Sequence, residues 1–219
     1  MVFNYELFPR VSLIQNTQET GRTYDTPDGL FPSVTTVLSR HFGKEGLDAW
    51  RKRVGEAEAD AISLQATRQG TAFHQLCEDF LKQEKSTNVI PTVKSLFLKI
   101  KPFLEKNLTT VYGIEHPLYS ANLKTAGTAD LLGQYFGKFN AVTDFKTSRR
   151  LPIYKDAKLK YAYQATIYAL MAEELYGVKF PYNIIIVACP SERDPVINIE
   201  CNYQYRDIVR RIFNEELSV

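Results

Sequence analysis

The chain has 219 residues, 44% of them hydrophobic and 24% charged, with a formal net charge of +2. This composition excludes a disordered or low-complexity chain and suffices for one substantial core, leaving little room for two full domains. No run approaches the roughly 18 apolar residues of a membrane span, no secretory or transit pattern opens the chain, and a charge so close to balance requires any basic surface to be local.

The first thirty residues carry turn chemistry, notably Thr26-Pro27-Asp28-Gly29, and predict short strands ahead of a helix that Ser33 caps and that runs through Leu38. Helical periodicity follows from 45 to about 83, with breaks expected at Gly55 and Gly70, and again over 92–108 despite Pro102. Three strand-like runs come next, at 109–119, 128–136 and 139–145. A long helix over 156–176 is ended by Gly177, and strands at 182–188 and 195–200 precede a final helix. This order implies an α/β fold whose central mixed β-sheet is flanked by helices. The three cysteines, Cys77, Cys189 and Cys201, lack metal-ligand spacing and read as buried free thiols in a reducing compartment. A cytoplasmic, non-secreted protein without a membrane or obligate protein partner is expected.

The stretch "GTADLLGQYFGKFNAVTDFKTSRR" at 127–150 reads as a β-hairpin that nevertheless places Asp130, Asp144 and Lys146 in apolar strands. A two-residue type II′ turn at Gly137-Lys138 would set Phe136 against Phe139 and Asp130 opposite residue 145; a three-residue loop would set Asp130 opposite Asp144. Asp144 and Lys146, two apart, share one strand face. Two half-buried carboxylates nearly opposite each other repel and call for a cation. An ion pair of either aspartate with Lys146 leaves the third charge unmatched. A hard divalent ion, Mg²⁺ or Mn²⁺, matches all the oxygens and frees Lys146 for chemistry.

"GTAFHQLCEDF" supplies further candidate ligands: Phe73, Leu76, Cys77 and Phe80 form a buried helical stripe, and His74 and Glu78, four apart, share its border. Glu115, charged in an apolar strand, is expected to support or pair with the site. Two basic clusters are candidates for a local binding surface. Arg51, Lys52 and Arg53 adjoin the only tryptophan, Trp50, and Lys146, Arg149, Arg150, Lys155, Lys158 and Lys160 follow the hairpin. Trp50 shares helical spacing with Leu47 and Val54 and is either core or a stacking platform for bases.

Glu78, Gly127-x-x-Asp130, Asp144-Phe145-Lys146 and Gln164-x-x-x-Tyr168 resemble, in order and spacing, the motifs of the RecB-like branch of the PD-(D/E)XK nuclease superfamily. "PSVTTVL" at 32–38, "LDAWRKR" at 47–53, "GTAFHQLCED" and "DFKTS" are similar to the mitochondrial genome maintenance exonucleases and their phage and bacterial relatives. The likeness runs from about residue 31 to about 188, with "GTAD" in place of the superfamily's Pro-Asp. It implies a single nuclease domain with a restriction-endonuclease-like core (69–200), an N-terminal appendage and helical cover (1–68) and a C-terminal helix (201–219). It also implies a phage or bacterial member, in the host cytoplasm if phage-encoded.

The resemblance further implies an Mg²⁺- or Mn²⁺-dependent hydrolase that cleaves DNA from free ends and prefers single strands. His74, Glu78, Asp130, Asp144 and the Phe145 carbonyl would hold one or two ions, and Lys146 would orient or deprotonate the attacking water. Gln164 and Tyr168 would steady Lys146 or touch DNA, alongside Ser33, Thr35, Trp50, Arg51, Arg53, Arg149 and Lys158. A structure-specific or restriction-like endonuclease and a non-catalytic nucleic-acid-binding module are the competing readings.

Overall fold

The structure is a computed structural model describing residues 3–19, 21–87, 89–151 and 155–216. Its centre is a six-stranded mixed sheet. The strands are β1 (Asn4–Tyr5), β5 (Leu108–Ser120), β6 (Thr125–Tyr135), β7 (Phe139–Thr147), β8 (Tyr182–Ala188) and β9 (Val196–Cys201), side by side in that order. The β1/β5 and β7/β8 pairs are parallel and the other three antiparallel. A small antiparallel sheet of β2 (Ile14–Gln18), β3 (Gly21–Thr26) and β4 (Gly29–Pro32) precedes the first helix. The helices are α1 (Val34–His41), α2 (Glu45–Val54), α3 (Glu56–Lys82), α4 (Pro91–Asn107), α5 (Lys155–Tyr176) and α6 (Tyr203–Glu216). No helix among the described residues is long and apolar enough to cross a membrane, and the part of the expected C-terminal helix beyond 216 lies outside them.

β8 shows why the sheet is covered on both faces. In "YNIIIVA" every residue after the first is buried, the run expected of a strand with helices on either side. Ile184, Ile186 and Ala188 join a core with Phe73, Leu76 and Leu81 of α3 and Leu96, Ile100 and Leu104 of α4. Ile185 and Val187 join the opposite core with Val34 and Leu38 of α1, Ile167 and Met171 of α5 and Val209 and Phe213 of α6.

Local signals set most boundaries. Ser33 caps α1, its hydroxyl accepting from the Thr36 N–H at 3.1 Å. Pro91 opens α4, which continues through Pro102. The expected break at Gly55 is present, with φ at 90°, whereas α3 passes straight through Gly70. One helical glycine costs only about 1 kcal/mol, and the packing of Phe73, Leu76, Cys77 and Leu81 just beyond it holds the helix.

Two further expectations are corrected. The hairpin turn has three residues, Phe136-Gly137-Lys138, the alternative that sets Asp130 opposite Asp144, and Phe139 pairs with Tyr135 rather than Phe136; Phe136 itself takes a left-handed φ of 57°. Cys201 is exposed at the end of the edge strand β9, while Cys77 and Cys189 are buried; all three are free thiols.

The helices α5 and α6 are tied by a bidentate ion pair. Arg206 donates to Glu173 at 2.8 and 2.6 Å, both side chains are at most 10% exposed, and the Phe180 N–H also donates to Glu173. Burial alone would raise the Glu173 pKa, but Arg206 and the Phe180 N–H hold it below its usual value. Its contribution to stability is therefore present above the ordinary carboxylate range and is lost as pH falls through the depressed folded value. Glu173→Gln, which leaves Arg206 buried without its anion, is expected to cost about 3–5 kcal/mol in urea denaturation at neutral pH. The difference from the parent should shrink in acid.

Candidate active site

Residue parity on β7 sends Asp144 and Lys146 to the same face as Val142, toward α5. The Lys146 ammonium lies 2.6 Å from Asp144 Oδ1 and 5.3 Å from the centre of the Tyr161 ring. The hairpin register, Leu131 against Thr143, brings Asp130 opposite Asp144. Regular pairing ends at Leu131 and Thr143, and Asp130 Oδ2 accepts the Phe145 N–H at 2.7 Å. Phe145 thus enters the site through its backbone, its ring buried in the core with α3 and α4.

α3 supplies His74, whose Nδ1 lies 3.5 Å from Asp130 Oδ1 and 3.7 Å from Glu115 Oε1. On β5, Ile114 pairs with Leu131 and His116 with Ala129, so Glu115 stands opposite Asp130. His74, Glu115 and Asp130 each offer one donor atom within 4.8 Å of the others, the one such group among the described residues. Glu78 is not in it. It takes Lys82 Nζ at 2.6 Å and lines an adjoining cavity of about 400 Å³ that also touches His74 and Glu115. The glutamate beside His74 and Asp130 is therefore Glu115, a strand residue that the sequence marked as a support.

Charge explains the shape of the cluster. Burial opposes protonation of His74, yet Asp130 and Glu115 outweigh it and lift its pKa to about 10. Burial would raise the Asp130 pKa, but His74, Lys146 and the Phe145 N–H bring it below the usual value. Asp144 is pushed up to about 6, first by burial and then by Asp130, with Lys146 opposing. Burial keeps the Lys146 pKa from rising further than it does; Asp144 and Asp130 raise it overall.

Asp144 Oδ2 is buried without a hydrogen-bond partner among the described residues. The carboxylates of Asp130 and Glu115 beside the His74 imidazole form an oxygen-rich donor group that suits Mg²⁺ or Mn²⁺, with the unpartnered Asp144 oxygen on the neighbouring strand. The His74 cation stands among these anions, and His74 must give up its proton before Nδ1 can serve as a ligand.

A cavity of about 310 Å³ opens over the cluster, lined by Glu115, Asp130, Lys146, Ser33, Thr35, Gln164 and Tyr168 among others. Gln164 lies beside Tyr168, whose phenol is held un-ionised by burial and by Asp130 and Asp144. The glycine of Gly127-x-x-Asp130 is needed for this contact, since a Cβ there would lie 2.8 Å from the Tyr168 hydroxyl. Ser33 is committed to the α1 cap and lies 3.0 Å from the Thr35 hydroxyl.

The remaining wall comes from Gln15, Arg22 and Tyr24 of the small sheet. Nothing in the sequence singled these out, because polar residues in short exposed strands look like a solvated face. The basic residues expected to bind DNA are more scattered. Arg53, Arg149 and Lys158 are exposed and line neither cavity at the cluster. Arg51 is held by Glu56 and by Asp60, the latter at 2.7 Å. Trp50 is only half-buried, in a helix with no buried residue, so it is not core.

No family model matches the chain, and no curated protein matches it. Among solved structures it is similar to a crystal structure from Eubacterium rectale provisionally named an exonuclease, at 12% identity over 68% of each chain with a TM-score of 0.40. A likeness that weak leaves the functional argument to the residues of the site.

Proposed function

We propose that this chain is a divalent-metal-dependent deoxyribonuclease of the RecB-like PD-(D/E)XK type, an exonuclease acting on single-stranded DNA ends. The observation that carries the reading is the convergence of Asp130, Glu115 and His74, with Asp144 on the neighbouring strand paired to Lys146 and keeping one buried oxygen unpartnered among the described residues. These residues would hold magnesium or manganese, which when bound would supply Lewis acidity toward the scissile phosphate and lower the pKa of a water. Lys146 orients that water and stabilises charge as it develops on the phosphate. The Phe145 N–H fixes Asp130, Tyr161 lies under the Lys146 ammonium, and the Gln164–Tyr168 pair forms a polar wall beside the reacting atoms. Phe145 can add its carbonyl to the ligand set. Three free thiols suit a reducing cytoplasm.

The preference for single strands rests on the motif resemblance and on the half-exposed indole of Trp50 beside Lys52 and Arg53. If Trp50 stacks on bases, Trp50→Ala weakens binding to a single-stranded oligonucleotide by about 1–3 kcal/mol, while the midpoint of denaturation stays close to the parent's. The reading as a whole is tested with 5′- and 3′-labelled linear single strands and a single-stranded circle, each with Mg²⁺, Mn²⁺ or chelator. Stepwise loss from ends, with the circle spared and chelator abolishing cleavage, is expected. Cleavage of the circle would turn the reading to an endonuclease, and binding without cleavage under every metal would leave only a nucleic-acid-binding module.

A further inference from the structure

The N-terminal edge of the sheet reaches the active site from behind. β1 pairs with β5 at Thr110 and Val111, and the main chain continues alongside β5 through the N–H groups of Glu6 and Phe8, which donate to the carbonyls of Val111 at 3.0 Å and Tyr112 at 2.8 Å. Phe8 stacks on Tyr112 and Tyr176, with ring centres 5.2 and 4.4 Å away, and the Tyr176 hydroxyl donates to the carbonyl of Pro9. The next residue, Arg10, is therefore delivered to a defined place on β5. Its guanidinium donates from Nη1 to the Ile114 carbonyl at 3.0 Å and from Nη2 to the Glu115 carbonyl at 2.6 Å.

Those two acceptors are successive carbonyls of one strand. In an extended strand they point to opposite sides, so a single guanidinium can reach both only where the chain turns between them. The turn is at Glu115, whose φ of 40° is left-handed, a conformation that costs a non-glycine residue energy and persists only where surrounding contacts hold it. The planar fork of arginine, with its fixed donor geometry, is suited to that task. On the other side of the same residue, the Glu115 carboxylate is 3.7 Å from His74 and stands opposite Asp130.

We infer that Arg10 is a positioning residue for the metal centre: by clamping the carbonyls of Ile114 and Glu115, it holds the kink that aims the Glu115 carboxylate at His74 and Asp130. The inference rests on the reading of that cluster as a metal site. It gives the N-terminal segment, which contributes no side chain to the cluster, a role in how tightly the ion is held. Arg10 touches neither substrate nor metal and acts through Glu115 alone.

The test is a calorimetric titration of the metal-free protein with Mn²⁺, alongside its melting temperature, for the parent, Arg10→Gln, Arg10→Lys, Glu115→Gln and the double variant Arg10→Gln/Glu115→Gln. Loss of an outer residue that orients a ligand typically weakens metal binding by about 10–100-fold, and Arg10→Gln is expected to fall at the lower end of that range with little change in metal-free melting. Arg10→Lys, with one point donor in place of a fork, should recover only part of the affinity. The double variant should bind no more weakly than Glu115→Gln, because the two act as one unit. Parental affinity in Arg10→Gln overturns the inference, as do losses that add in the double variant alongside a large fall in melting temperature; the latter would make Arg10 an anchor of the N-terminal segment only. A parent that takes up no Mn²⁺, or an Asp130→Asn variant that binds it normally, overturns the metal-site reading itself and the inference with it.

Discussion

Asp130→Asn should reduce cleavage by about 10³ or more while leaving the protein folded. Lewis-acid stabilisation of the transition state is worth several kcal/mol, and each 1.36 kcal/mol is about tenfold in rate. Asparagine keeps an oxygen able to accept the Phe145 N–H that now reaches Asp130 Oδ2, so the junction of β6 and β7 survives. It removes a negative charge from beside Asp144 and Glu115, which partly offsets the attraction lost to His74 and Lys146. The metal-free melting temperature is accordingly expected to stay within about 2–4 °C of the parent, the shift produced by about 1 kcal/mol in a chain of this size. Asp144→Asn should be as inactive, because its buried Oδ2 lacks a partner among the described residues. Turnover at the parental rate by either variant would remove the metal site from the mechanism.

Lys146→Ala should separate binding from turnover. Removing a positioned group that transfers a proton or stabilises charge costs about 10²–10⁴ in rate, whereas affinity for a single-stranded oligonucleotide should stay within a few-fold, because the ammonium faces Asp144 and Tyr161 and is only 19% exposed. Both Lys146→Ala and the closer isostere Lys146→Met leave Asp144 without its cation, so the metal-free protein should melt lower and regain stability when Mn²⁺ is added. Lys146→Arg should not restore the rate: a planar guanidinium cannot take the place of a compact ammonium 2.6 Å from Asp144 and above the Tyr161 ring. Full rescue by arginine, or an alanine variant as fast as the parent, would reduce Lys146 to an ion-pair partner.

What could be read along the chain was whatever depends on neighbours in sequence. The strand at 182–188 was marked by its apolar run from Ile184 to Ala188, and Ser33 and Gly177 marked helix ends through capping chemistry that acts within one turn. The proximity of Asp144 and Lys146 followed from strand parity alone, and the spacing of Gly127 and Asp130 marked the start of the same site. The reason for the glycine did not follow, because the Tyr168 hydroxyl that fills its missing side chain comes from α5.

Which glutamate lies nearest His74 was decided by packing. His74 and Glu78 share a helix border, and i, i+4 spacing made them an attractive pair. Yet Glu78 turns to Lys82 along the helix, and the carboxylate that meets His74 comes from β5. The signal for Glu115 was present in the sequence as a charge in an apolar strand, but its partner depended on the register of β5 against β6, which bulges near Leu108 and Val111 make unpredictable by counting. The turn of the hairpin failed for a related reason: whether Phe136 accepts a left-handed φ depends on the strands that it joins. Periodicity and capping, which act over a few residues, thus set the elements and the nearness of Asp130, Asp144 and Lys146. Only the tertiary structure could set Glu115 beside His74 and Asp130 and bring Gln15, Arg22, Tyr24 and Arg10 to the two sides of that cluster, because cross-strand register and the docking of an edge segment are long-range contacts that no local pattern encodes.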